Sequence, residues 1–327
     1  MTTQERLILG VDVGGTKVAA GLVDARGRVF FKTRAPMSAT GDAAAGFAAV
    51  KDAIDAVFAT NPGVRENLKH IGICSPGPLD PRAGVVINPP NLPCWRNFPL
   101  AAEVERAFGI AARLENDANA AALAEAIWGA GAGFQNLFYA TIGTGIGTGI
   151  IFDKKIYWGR TGAAAEGGHM TIDHLGPVCA CGKRGCIEAL ASGTALARRA
   201  RERLTAEPAV TSKILGLAGR NADAISAETI SAAHQSGDAL ATQLLSETAD
   251  FLAIWLGNII DLLEPDAIVI GGGMSGMLAP WFARIREKLP AWCVNQRCTE
   301  IPLFRAAYGE DSGIAGAAAV ALQGEVP

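Results

Sequence analysis

Residues 168–188 read GHMTIDHLGPVCACGKRGCIE and place Cys179, Cys181 and Cys186 within eight positions, with His169 and His174 upstream. A structural zinc ion takes four nitrogen or sulfur ligands tetrahedrally, and three thiolates with one imidazole complete such a set. Gly182 and Gly185 let the chain turn back on an ion. Lys183 and Arg184 mark the loop as exposed, which argues against three buried free thiols. On spacing alone, His169 and His174 compete for the fourth place. Glu166, three residues before His169, and Glu188, two after Cys186, can accept hydrogen bonds from adjacent sugar hydroxyls. An ion-pinned loop would hold these acids in place; without one they would read as solvated surface.

Two glycine turns suggest phosphate chemistry. In GVDVGGTK, residues 10–17, an apolar run ends at Asp12 and turns through Gly14 and Gly15. Glycine lets backbone N–H groups approach a phosphate, Thr16 adds a hydroxyl and Lys17 a positive charge. Asp12 can then hold Mg2+, directly or through water. A plain hairpin turn would use the same residues. IGTGIGTGI, residues 142–150, is a second such turn, with Thr144 and Gly145 placed against another phosphate group. GGGMSG, residues 271–276, satisfies a dinucleotide fingerprint after a strand, yet no acid is clearly placed about twenty residues on to bind a ribose. The favoured reading is a nucleotide loop whose Gly272 and Gly273 admit adenosine. LENDANAAALAEAIWGAG, residues 114–131, starts an Ala-rich helix at Asn116 or Asp117. Both are good N-caps. Asp117 can also accept the proton of a sugar hydroxyl attacking a γ-phosphoryl group, and the two roles are compatible.

The elements that must position these groups follow from the apolar pattern. LILGVDV (7–13), VAAGLVD (18–24) and RVFFKTR (28–34) read as three consecutive strands. Residues 138–158 repeat the plan: at an offset of 129, Asp12 meets Thr141, Gly14 meets Gly143 and Asp24 meets Asp153, which suggests a duplication. Between the repeats lie a helix over 41–59, a strand HIGICSPG, a Pro- and Asn-rich loop over 75–99, and the helix from near Asp117. Residues 189–263 are mainly helical; AIVIGGG, an apolar segment at 301–304 and a small-residue helix DSGIAGAAAVALQ complete an α/β pattern with a sheet in each half.

Composition narrows the function. Half of the 327 residues are hydrophobic, 19% are charged and the net charge is −3, so no basic footprint for nucleic acid is present. MTTQERLILG lacks the apolar region of a secretory leader, and the apolar run from Ala249 to Gly273 is broken by Asp261, Glu264 and Pro265, so no membrane role and a cytoplasmic location are expected. Thiols there stay reduced, and seven cysteines, an odd number, argue for metal rather than disulfides. Cys74, Cys94, Cys293 and Cys298 read as small buried residues.

EGGH followed by CACGKRGCIE resembles the paired ExGH and CxCGxxGCxE signatures of the ROK family (repressors, open reading frames and kinases), and with GVDVGGTK, ENDANAAALAE and IGTGIGTGI in order the resemblance spans roughly residues 8–320. It implies an actin-like ATPase (ribonuclease H-like) fold: two α/β domains around a cleft, a small one over 1–120 plus 311–327 and a large one over 121–310 with the zinc-binding loop. The implied reaction is transfer of the γ-phosphoryl of ATP, with Mg2+, to the 6-hydroxyl of a hexose. Asp117 is the implied base. Asn116, Glu166, His169 and Glu188 are the implied sugar contacts, and Asn91 in PPNLP joins them. His169 takes the fourth zinc position and His174 none. The NPPNLPCW loop and full zinc motif resemble the family's glucose-phosphorylating members; those acting on fructose, mannose, allose, N-acetylglucosamine or N-acetylmannosamine share much of the pattern. Family repressors carry a helix-turn-helix before the first glycine turn, for which this chain leaves no room. The resemblance also implies a homodimer or homotetramer. A sugar-sensing regulator without turnover, a nicotinamide-dependent oxidoreductase resting on GGGMSG, and polyphosphate as donor are the rival expectations.

Overall fold

The structure, a computed structural model, describes residues 7–207 and 209–323. The first apolar runs form β1 (Ile8–Val13), β2 (Lys17–Val23) and β3 (Val29–Pro36), an antiparallel meander that sets Asp12 opposite Ala19. Helix α1 (Ala43–Thr60), capped by the Asp42 side chain, leads to β4 (His70–Ser75), which lies parallel to β1. The expected loop contains a short hairpin of β5 (Leu79–Asp80) and β6 (Val85–Val86). Helix α2 (Leu100–Phe108) then returns the chain to β7 (Ala111–Asn116), parallel to β4 at the edge of a sheet ordered β3-β2-β1-β4-β7. Neither α2 nor β7 was read from the sequence; AARLEN has none of the β-branched or aromatic residues that signal a strand.

Helix α3 (Asp117–Ile127) precedes the second set: β8 (Leu137–Ile142), β9 (Ile146–Phe152) and β10 (Lys155–Ile156). The helical stretch resolves into α4 (Ile187–Ala191), α5 (Gly193–Ala206), α6 (Ile214–Leu217), α7 (Ala227–Gln235) and α8 (Ala239–Leu263). Strand β11 (Ala267–Gly271), helices α9 (Ser275–Leu278) and α10 (Phe282–Lys288), strand β12 (Leu303–Arg305) and helix α11 (Ser312–Leu322) follow. The second sheet, β10-β9-β8-β11-β12, has the strand order of the first. Strands β1 and β8, like β2 and β9, begin and end 129 positions apart, so the repeat legible in the residues is a repeat of topology.

The chain divides into two compact units, Met1–Tyr139 with Gly149–Ala165 and Ala307–Pro327, and Ala140–Thr148 with Glu166–Ala306. The ends of the expected domain spans, residues 1–6 and 324–327, which include the start of the stretch read for a leader, lie outside the described residues.

In the first unit Leu9, Val11, Ile71, Ile73 and Ile54 form the core under α1. On the other face lies α11, in which seven of eleven residues are Ala or Gly. A Cβ on Gly10 would fall 2.1 Å from the Ile314 carbonyl oxygen and one on Gly72 1.7 Å from that of Ala317, so the helix backbone rests directly on β1 and β4. In the second unit α8 buries Leu244, Leu252, Trp255 and Ile259. Cys74 and Cys298 are buried as expected, but Cys94 and Cys293 are only half-buried. Among the described residues no helix is long and apolar enough to cross a membrane.

Candidate functional site

The parallel strands of the first unit end in a row of polar side chains, because Asp12 on β1 pairs with Cys74 on β4, and Cys74 with Glu115 on β7. The Cys74 thiol lies 3.4 Å from Asp12 Oδ1 and 3.3 Å from the Gly313 carbonyl oxygen, so it can donate to either. Burial, then the Asp12 charge, push the Cys74 pKa well above the ordinary thiol value, so it remains a donor. Burial also raises Asp12, against the Cys74 hydrogen bond and the charge of Lys17.

The choice of cap at α3 is settled: Asn116 Oδ1 accepts from the N–H groups of Ala118 and Asn119, at 3.0 and 3.3 Å. Asp117 is the first helical residue, and its Oδ1 accepts from Ala118 N–H at 2.8 Å. Asp117 presents surface to solvent, yet its carboxyl is crowded on the protein side. Desolvation, with the Asp12 charge adding, outweighs the Ala118 hydrogen bond and pushes its pKa up to about 6. The first glycine turn closes with Gly14 N–H donating to Lys17 O at 2.9 Å, leaving Thr16 and Lys17 exposed. A Cβ on Gly15 would meet Asn91 O at 2.7 Å, which places Asn91 against that turn.

In the second unit the EGGH segment makes a tight 3-10 turn, Gly167–His169, with Glu166 exposed at its start. Its glycines allow close approach to β9: Gly167 N–H donates to Thr148 Oγ1 at 2.9 Å, and a Cβ on Gly168 would fall 1.9 Å from Ile146 O. His169 Nδ1 lies 3.6 Å from Cys179 Sγ, Cys181 and Cys186 Sγ lie 3.7 Å apart, and all four donor atoms fall within 4.8 Å of one another. Zn–S bonds of about 2.3 Å at tetrahedral angles give donor separations of about 3.8 Å. The donor set and its spacing therefore fit zinc. His174 is exposed and outside the group. Gly182 and Gly185 take positive φ, 89° and 64°, as the chain reversal required. Glu188, in the first turn of α4, accepts Ile146 N–H on Oε2 at 2.9 Å, while its Oε1 lies 3.8 Å from both His169 Nδ1 and Cys179 Sγ. It thus joins the second glycine turn to the metal-type cluster, and a Cβ on Gly145 would meet its Oε2 at 2.6 Å.

Thr144 and Gly273, read separately from the sequence, line one pocket of about 460 Å3 within this unit. Gly272 is needed for close approach: its φ is 82°, and a Cβ would fall 2.5 Å from Ile142 O. The pocket's other walls are Gly193, Thr194 and Arg201 of α5, the 225–228 segment and Met274. Sequence reading missed all of these, although SGT before a helical run was an available N-cap signal; Ser192 does cap α5. Glu115 and Trp158 were also passed over.

Two sheets of one strand order, a three-cysteine, one-histidine knuckle and two glycine turns beside carboxylates define a duplicated α/β protein of the actin-like type. The ROK family model matches residues 8–324, and the chain belongs to the ROK family. It is 35% identical over 320 residues to a glucokinase of Streptomyces coelicolor, covering 97% of this chain and 98% of the relative. It is 31% identical to an N-acetylmannosamine kinase of Shigella boydii (97% and 98% covered) and 30% identical to a xylose repressor of Caldicellulosiruptor bescii (89% and 70%). Among solved structures, the ROK family glucokinase of Streptomyces griseus, in complex with glucose and AMPPNP, superposes with a TM-score of 0.82 at 35% identity, covering 97% of this chain and all of that one.

Proposed function

We propose that this chain is an ATP- and Mg2+-dependent hexose kinase acting on the 6-hydroxyl, with glucose as its substrate. The observation that carries the reading is Asp117: a carboxylate at the head of α3, freed from capping by Asn116, with a pKa near 6 and therefore ionised at neutral pH yet basic enough to take a proton. The Streptomyces griseus structure, which holds glucose and an ATP analogue, supports the choice of reactants.

In this reading Asn91, Asn116, Glu166, His169 and Glu188 orient the hexose, His169 through the ring nitrogen not turned to the thiols. Asp117 accepts the proton of the 6-hydroxyl as O6 forms its bond to the γ-phosphorus, and the bond from that phosphorus to the β,γ-bridging oxygen breaks, releasing ADP. The glycine turns at Gly14–Gly15 and Thr144–Gly145 offer N–H and hydroxyl donors to the phosphates, and the pocket holding Thr144 and Gly273 takes the nucleoside. Mg2+ on the nucleotide supplies charge neutralisation, with Asp12 the residue to hold it. His169, Cys179, Cys181 and Cys186 would hold zinc, which braces the loops bearing Glu166 and Glu188.

A second substrate reading, N-acetylmannosamine, follows from the Shigella boydii relative. One coupled assay with ATP across a panel of hexoses decides: glucose should give the highest kcat/KM, and preference for another sugar refutes the specificity. Asp117→Asn should keep hexose binding and lower kcat by orders of magnitude; near-normal turnover refutes the base. Hexose binding without turnover by the wild type would point to a regulator instead. The same reading makes the enzyme a cytoplasmic homodimer or homotetramer, which sedimentation of the purified protein checks.

A further inference from the structure

Glu115 is a buried carboxylate, 1% exposed. Its Oε1 accepts Asn116 N–H at 2.8 Å and Asn119 Nδ2 at 3.1 Å, and its Oε2 accepts Trp158 Nε1 at 2.6 Å. Every one of these donors is neutral, and burial raises the Glu115 pKa. Burying a carboxylate is expensive unless its oxygens are hydrogen-bonded. The helix start does not need it, because Asn116 already caps α3. Asn119 gives its amide to Glu115 while its own Oδ1 is buried without a partner, so the arrangement is not the one that would maximise stability. What the network achieves is positional. It ties three pieces of the first unit to one carboxylate: the backbone at Asn116, the first turn of α3 through Asn119, and the segment after β10 that carries Trp158.

We propose that Glu115 and Trp158 are a pair of positioning residues that set Asn116 and Asp117 for the hexose. The inference rests on the reading of those two residues as sugar contact and base. Trp158→Phe keeps an aromatic ring and removes the single Nε1 donor, leaving Glu115 Oε2 buried and unpaired. Glu115→Gln keeps the shape, but its amide group must then face either Trp158 or the Asn116 and Asn119 donors, so one side of the joint opens. An ångström of misplacement at reacting groups costs on the order of 100-fold.

Steady-state kinetics of wild type, both single variants and the double variant test this, with each Tm measured alongside. Hexose kcat/KM should fall about 10- to 100-fold in either single variant. The KM for ATP should stay unchanged, because no nucleotide-facing residue shares the network. In the Glu115→Gln background Trp158→Phe should cost little more, as expected of two residues acting through one bond. If Trp158→Phe does not fold, Glu115→Gln alone must still separate the hexose constants from the ATP KM. Unchanged hexose kinetics with a lowered Tm, equal costs in both backgrounds, or parallel loss of hexose and ATP affinity would each overturn the pair's role. A wild type that phosphorylates no hexose overturns the functional reading and this inference with it, whereas an active wild type with unaffected variants overturns the inference alone.

Discussion

Gly313→Ala offers the sharpest test of Asp12. Gly313 is the second residue of α11 and its φ is not positive, so alanine suits its backbone, and in a helix Gly→Ala stabilises by up to about 1 kcal/mol. The added Cβ, however, would stand 2.3 Å from Asp12 Cγ and Oδ2 and 2.8 Å from its Cβ. Restoring a contact of about 3.4 Å requires one partner to move roughly 1 Å, given the ordinary separation of non-bonded heavy atoms. The helix cannot retreat toward α3, because Gly316 already lies against the Ala120 backbone, with a Cβ there 2.6 Å from Ala120 C. Strand β1 is paired on both sides, with Ala19 and Cys74 flanking Asp12. The carboxylate must therefore swing, abandoning the Cys74 thiol, and the remaining 2.8 Å contact with Asp12 Cβ must be taken up by a small backbone adjustment. If Asp12 holds the cation as proposed, a shift of about 1 Å there predicts a loss in kcat on the order of 100-fold. A Mg2+ titration of the rate, with Tm measured on the same samples, should show a raised Mg2+ requirement and a Tm near that of wild type, the helix gain offsetting the small adjustment. Wild-type turnover and Mg2+ dependence would refute the placement of the cation on Asp12; a clear fall in Tm would show that α11, not the side chain, had given way.

Three further outcomes follow from Asp117 and from the metal-type cluster. Asp117 must be ionised to act as base, so kcat/KM should be full above pH about 6 and fall about tenfold per unit below it, and a profile flat through that range refutes the base. Because folding raises this pKa above the ordinary aspartate value of 3.8, the stability gained from the protonated form is present below 3.8 and lost as pH rises through about 6; Asp117→Asn, neutral throughout, should unfold at neutral pH no lower in temperature than wild type. Cys181→Ser should lose stoichiometric zinc by atomic emission and raise the hexose KM, and freshly purified wild type without zinc refutes the metal assignment.

What could be read from the residues was what local spacing encodes. The metal knuckle was legible because its thiols sit within one loop and its turns demand glycine; the choice between His169 and His174 needed the family resemblance, and the structure agrees with it. The start of α3 was legible, but Asn and Asp are equally good caps, so only the hydrogen bonds show that Asn116 does the capping. Partners distant in sequence left no local trace: Trp158 meets Glu115 across 43 positions, and Gly143 and Thr144 share a pocket with residues 225–228. Cys74 resembled any small core residue, and nothing in HIGICS announces that its thiol faces Asp12.

The duplication then explains a division of labour. The repeat that puts Asp12 at the end of β1 puts Thr141 at the matching place in β8, so only the first turn carries an acid suited to a cation. The second turn instead takes its acid from outside the repeat: Glu188, one residue into α4, accepts Ile146 N–H and leans with its other oxygen toward His169 and Cys179. The loop at 168–188 therefore carries more than the His/Cys cluster. It delivers to the second sheet the carboxylate that duplication left out, on a side chain whose other oxygen lies 3.8 Å from two members of the His/Cys cluster.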